Sequence, residues 1–168
     1  MKIGFSGTYS SGKTTLLKVL SKYFKNSYLI TESAREFDKN DLKNCETQYK
    51  ILLRQIENEL RAPHNCTVIT DRTVIDNLAH TEEYCGYNRD LYSLVLNWIQ
   101  TYDFIIFCHS DGVPLEDDGF RFTDPNFRIE LENKMLKLYK NNDIKICEVK
   151  GSIEEQIKTI LIYIKRMT

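Results

Sequence analysis

Glycine and proline are scarce in this chain, seven and three of its 168 residues. So few chain breakers exclude collagen-like and Pro/Gly-rich disordered classes. Neither sign of charge dominates, since 23 Lys and Arg face 24 Asp and Glu for a net charge of −1. That balance carries no bulk signal for nucleic acid or an anionic membrane, although a local basic groove stays open. No apolar run approaches the ~20 residues that cross a bilayer, and Met1-Lys2 leads straight into Ile3-Gly4-Phe5 without an apolar leader. The expectation is a cytoplasmic protein with no membrane partner. The five cysteines, Cys45, Cys66, Cys85, Cys108 and Cys147, are widely spaced and never form C-x-x-C, which argues against zinc and disulfide frameworks and predicts reduced thiols. His64, His80 and His109 are equally dispersed and read as surface or core filler.

What is present starts at residue 7. Gly7-Thr8-Tyr9-Ser10-Ser11-Gly12-Lys13-Thr14 has the spacing G-x-x-x-x-G-K-[ST] of a phosphate-binding P-loop, behind the strand-like run Ile3-Gly4-Phe5. A loop wrapping a polyanion must aim successive backbone N–H groups inward, which favours glycines free to take unusual φ/ψ. Gly7 and Gly12 supply that freedom. The cradle then comprises Gly7, Ser10, Ser11, Gly12, Lys13, Thr14 and Thr15, with the following helix N-terminus and the Lys13 charge facing the phosphates. The Thr14 hydroxyl is placed to hold Mg²⁺.

The remaining chain alternates short apolar runs with helical periodicity. Strands are expected at Tyr28–Thr31, Thr67–Thr70, Asp103–Cys108 and Ile144–Val149. Helices are expected after the P-loop to about Lys25-Asn26, around Tyr49–Leu60, over Val74 to about Tyr84, and over Leu91 to about Gln100. Asp124-Pro125 and Ser152-Ile153-Glu154-Glu155 are start signals for two more. This pattern predicts one α/β domain, residues 1–168, built on a parallel sheet with helices on both faces. The polar segment of about residues 109–128, with Gly112, Pro114 and Gly119, reads as a functional loop. The aromatics between Tyr84 and Trp98 read mainly as core, a base-binding pocket being the alternative.

Ligands of open α/β sheets sit beyond the carboxyl ends of the strands. Those ends carry Lys13 and Thr14, then Glu32 and Arg35, then Asp71 and Arg72, and after the fourth strand Asp117, Asp118, Arg121 and Arg128. Such a set suits phosphoryl transfer, where cations neutralise the transferring group, one carboxylate takes a proton and another holds Mg²⁺. Glu32 and Asp71 are the candidates for those two tasks, with the assignment between them open. The plain alternative for Glu32 is an ion pair with Arg35 one turn away.

Gly7–Thr14, Glu32-Ser33-Ala34-Arg35, Asp71-Arg72 and Asp118-Gly119-Phe120-Arg121, taken in order, resemble the P-loop nucleoside and nucleotide kinases. The likeness is greatest to the AAA-type ATPase/kinase group that includes nicotinamide riboside kinase domains. The resemblance implies a three-layer P-loop NTPase fold with strand order 2-3-1-4-5, an ATP·Mg²⁺ site and a lid bearing Arg121 and Arg128. It also implies Glu32 as base, with Asp71 and Arg72 serving magnesium and phosphate, and Arg35 beside them on the acceptor side. The strand-two motif lacks the Arg-Glu-Pro-Gly order of thymidylate kinases. Expected partners are ATP, Mg²⁺ and a small nucleoside or nucleotide acceptor, with a homodimer and an acceptor inside a nucleic-acid strand left open. The rival class is a P-loop NTPase acting as a switch. A guanine-reading N-K-x-D tetrapeptide is absent.

Overall fold

A computed structural model describes residues 1–117, 119–120 and 124–167. Its elements follow in the order β1 (Lys2–Ser6), α1 (Lys13–Ser21), β2 (Ser27–Ile30), α2 (Cys45–Leu60), β3 (Thr67–Asp71), α3 (Val74–Cys85), α4 (Arg89–Ile99), β4 (Phe104–Cys108), α5 (Pro125–Asn141), β5 (Cys147–Val149) and α6 (Ile153–Met167). Short 3-10 turns at Ser33–Glu36 and Lys39–Asp41 separate β2 from α2. The five strands are parallel in the order β2-β3-β1-β4-β5, as the resemblance implies.

Strand β4 shows why helices must cover both faces. Phe104, Ile106 and Cys108 pack with α1 and α6, whereas Ile105 and Phe107 point into a second core made by α2 to α5. A strand buried on both sides reads as continuous apolarity. Caps behave as their residues dictate. Asp124 accepts the N–H groups of Asn126 and Phe127 ahead of Pro125, and Ser152 and Glu155 close a reciprocal capping box.

Three expectations are corrected. Helix α1 stops at Ser21, because Lys22, Tyr23 and Phe24 turn to i−3 carbonyls and tighten the last turn. Strand β5 begins only at Cys147, since Asp143 takes a left-handed turn with φ 53° and Ile144 bonds back to Tyr139. The reduced-thiol reading fails for two residues, because Cys45 and Cys85 form a disulfide between the start of α2 and the end of α3 with Cα atoms 5.4 Å apart. The pair is 40 residues apart in sequence, so only the packing of α2 against α3 brings it together. Cys66, Cys108 and Cys147 are free.

Candidate active site

The P-loop connects β1 to α1 and is shaped from beneath. Gly7, at φ 135°, lies so close to β4 that a Cβ would stand 2.4 Å from the Cys108 carbonyl oxygen. Gly12 caps α1 in a left-handed conformation with open space around it. Ser10 is also left-handed, at φ 53°. Gly7 donates its N–H to Asp76 Oδ1 at 2.8 Å, and Asp76 Oδ2 accepts the Thr73 N–H at 2.9 Å. Thr73 and Ser6 both bond the buried Tyr139 hydroxyl at 2.8 Å. Asp76 was missed in the sequence reading, where it is one acid within an apolar helix. Its only sequence signal is the Thr73-x-x-Asp76 spacing of a capping box.

Lys13 is 4% exposed and donates to the Thr8 carbonyl and to Ser11 Oγ. Burial, reinforced by the nearby Arg72 charge, lowers its ammonium pKa to about 8. Thr14 Oγ1 donates to Asp71 Oδ2 at 2.5 Å, so two hard oxygens converge at the mouth of the cradle, Thr14 from the start of α1 and Asp71 from the end of β3.

Beside them Glu32, just past β2, meets Arg72, just past β3. Arg72 Nε donates to Glu32 Oε1 at 2.7 Å and both side chains are buried. Arg35 reaches the other oxygen, Oε2, at 3.3 Å from the 3-10 turn, and its guanidinium lies 5.2 Å over the Phe120 ring. Glu32 thus pairs with Arg35, as the plain alternative has it, and with Arg72 as well. His80, expected to be filler, stands 3.0 Å from Arg72 Nη1 on α3. Burial alone would depress the Arg72 pKa, but Glu32, Asp76 and Asp71 together raise it, so Arg72 is a permanent buried cation. Its backbone is unusual as well, with φ 89°. A non-glycine residue holds such a φ when surrounding bonds over-determine it. Here the Arg72 N–H donates to Phe5 O at 3.0 Å and its carbonyl accepts from Thr70 Oγ1 at 2.8 Å.

The segment after β4 contacts the P-loop at Glu116, whose N–H donates to Ser10 Oγ at 3.2 Å. Arg128, the arginine expected on a lid, donates to the carbonyls of Val113, Ser10 and Ser110, each at 3.0 Å. It thereby straps this segment to the P-loop. Tyr9 adds a bond from its hydroxyl to the Asp124 carbonyl at 2.9 Å. Arg121 and Asp118 lie outside the described residues.

Two clefts lie in this region, one lined in part by Glu32 and Arg72 and one along the P-loop. The P-loop cleft holds Ser10 through Thr15 with Arg35 and Glu116. The other is lined by both polar and apolar side chains, among them Glu32, Arg72, His80, Ile51, Tyr84 and Phe127. Tyr84 and Phe127 stack there with centroids 6.0 Å apart, so at least one aromatic read mainly as core faces a cavity. Chemically, the arrangement places a carboxylate and a cation on the wall of a cleft with aromatic lining, beside a loop whose geometry suits an anion.

A family model described as AAA domain matches residues 2–156. No curated protein sequence matches the chain. Among solved structures, deoxyadenosine kinase from M. mycoides superposes with a TM-score of 0.70 at 17% identity, the match covering 99% of this chain and 100% of that one. Thymidylate kinase from Candida albicans gives 0.70 at 16% identity, over 98% of this chain and 91% of that one. The YorR protein from Bacillus subtilis, in complex with phosphorylated GDP, gives 0.65 at 17% identity, over 98% and 96%. The match of nearly the whole chain to one family model, and the strand order and P-loop beneath it, lead to one conclusion: this protein belongs to the AAA domain family and has the three-layer P-loop fold shared with nucleoside and nucleotide kinases.

Proposed function

We propose that this protein is an ATP-dependent kinase that transfers a phosphoryl group to a nucleoside, nucleotide or similar ribosyl compound. The observation that carries this reading is the buried Glu32–Arg72 pair on the wall of a cleft that also holds Tyr84 and Phe127, tied through Arg35 to the cleft along the P-loop. A switch that only binds and hydrolyses a nucleotide has no use for that second cleft.

In this reading the amides at the start of α1 and the Lys13 ammonium hold the β/γ-phosphates of ATP. Thr14 Oγ1 and Asp71 Oδ2 are hard oxygen donors that suit Mg²⁺. When bound, the ion neutralises charge on the phosphate oxygens. The acceptor lies in the second cleft with its nucleophilic oxygen towards Glu32, which accepts the proton as the oxygen attacks. Arg72, and Arg35 at the edge of the cradle, offset the charge that develops on the transferring group. Glu32 suits the base role better than Asp71, because Glu32 borders the acceptor cleft while Asp71 is engaged with Thr14. Tyr84 and Phe127 offer apolar surface to a base.

The test is ATP turnover alone and with panels of nucleosides, nucleoside monophosphates, nicotinamide riboside and oligonucleotides, with product mass recorded. Acceptor-dependent turnover and a product heavier by one phosphoryl group are expected. Hydrolysis at full rate without any acceptor would make the protein an NTPase switch, and transfer confined to oligonucleotides would place the acceptor within a strand.

A further inference from the structure

We infer that Gln55 is a positioning residue for transfer, acting through the two segments that carry Glu32 and Arg72; the inference rests on the kinase reading above. Gln55 lies on the inner face of α2 and is completely buried. It touches neither cleft. Its amide makes three bonds: Oε1 accepts from Ser33 Oγ at 3.0 Å, and Nε2 donates to Glu59 Oε1 at 2.8 Å and to the Arg72 carbonyl at 3.3 Å.

The orientation of this amide follows from its partners. The Arg72 carbonyl and the Glu59 carboxylate are acceptors, so both must meet the NH₂ group. Ser33, which has a proton to give, must then meet the carbonyl oxygen. Glu59 is itself immobilised, accepting from Lys2 Nζ at 2.9 Å, from Trp98 Nε1 at 2.7 Å and from the Tyr102 hydroxyl. Gln55 is thereby anchored on one side and reaches both halves of the junction on the other.

Those halves need such a clamp. Ser33 is the residue after Glu32 and is buried at the start of a four-residue 3-10 turn, a poor scaffold by itself. Arg72 sits at φ 89°, a conformation held only by external bonds. One side chain therefore links the peptide after the proposed base to the strained peptide of its cationic partner. Losing it removes the bond that ties the two segments to each other, leaving Arg72 to its bonds with Phe5 and Thr70 and Ser33 to its bond with Asn58, and small misplacements of a reacting group are expensive in rate.

Two variants test this, Gln55→Met, which fills the volume without the amide, and Ser33→Ala, which removes one of its bonds. For folded protein, Gln55→Met should lower kcat between about ten- and a hundred-fold, with the ATP dissociation constant and the acceptor KM within about two-fold of wild type. The double variant should be less impaired than the product of the two single effects, since both remove the same bond. Independently of activity, the Arg72 Nε–H should lose protection against hydrogen exchange in Gln55→Met while the amides of β1 and β4 keep theirs. Wild-type kcat, or retained protection of the Arg72 Nε–H, overturns the inference. Absence of transfer by the wild-type protein itself counts against the kinase reading instead, and the exchange measurement then decides the clamp alone.

Discussion

Arg72 Nε and Glu32 Oε1 meet at 2.7 Å although the two residues are 40 positions apart, and neither side chain is more than 5% exposed. A buried pair of this kind is weak evidence of net stabilisation, yet breaking it by deleting one partner is severe. This asymmetry decides how the proposed base should be tested.

Glu32→Gln keeps an acceptor for Arg72 and the same volume. It should fold, bind ATP within about two-fold of wild type and lose transfer by about 10²–10⁴. Glu32→Ala should instead lose about 3 kcal/mol in denaturant unfolding, because the Arg72 charge is left buried. Transfer by Glu32→Gln at the wild-type rate would remove Glu32 from the chemistry.

The two P-loop glycines should respond differently to alanine. In Gly7→Ala the added Cβ meets a backbone carbonyl at 2.4 Å, and β4 cannot retreat without breaking the sheet. A loss of about 3 kcal/mol or more is expected, with no measurable ATP binding. In Gly12→Ala only the left-handed φ of 79° is resisted, about 1–2 kcal/mol. Equal shifts in thermal midpoint for the two variants would contradict the close approach at Gly7.

Lys13 should make both stability and binding depend on pH. Its folded-state pKa, about 8, lies below the ordinary value of 10.5. Between these values the unfolded chain holds a proton that the folded chain has released, so stability gains from this residue as pH rises through that window. ATP binding runs the other way, since a triphosphate favours the charged form. Calorimetry in buffers of different ionisation heat should show proton uptake on ATP binding at pH 9 and little at pH 6.5. Lys13→Met should abolish the difference.

Reduction should loosen the acceptor side selectively. The Cys45–Cys85 disulfide joins the two helices that carry Ile51 and Tyr84 into the second cleft. A closed loop of this length is worth about 3–4 kcal/mol by chain entropy. The Cys45→Ser, Cys85→Ser double variant should unfold at lower denaturant and show a raised acceptor KM with unchanged ATP affinity. The intact mass of the wild-type protein should rise by two hydrogens on reduction. An unchanged mass would show that the thiols were already free.

Much of the architecture was legible from local pattern. Continuous apolarity in β4 announced a strand covered on both faces, and Asp124-Pro125 marked the start of α5 to the residue. The P-loop was legible too, because it is one unbroken stretch whose spacing is itself the geometry. The proposed acceptor side was legible only as a set of strand ends. Nothing in the run from Val74 to Ala79 distinguishes Asp76 as the acceptor for the Gly7 amide, and nothing near His80 signals its approach to Arg72. The three carbonyl partners of Arg128 were not legible either, since a helix-start arginine looks the same in sequence whatever it faces.

Residue order was enough to define a P-loop between a strand and a helix, the alternation that makes a parallel sheet, and which charged residues stand at the strand ends. Each of these depends on neighbours within a few residues, through backbone conformation and hydrophobic period. Tertiary structure alone decided that Glu32 binds Arg72, that Thr14 meets Asp71, that Cys45 finds Cys85 and that Gln55 spans the junction. Such contacts depend on strand order and helix packing, which set distances between residues that no local periodicity relates.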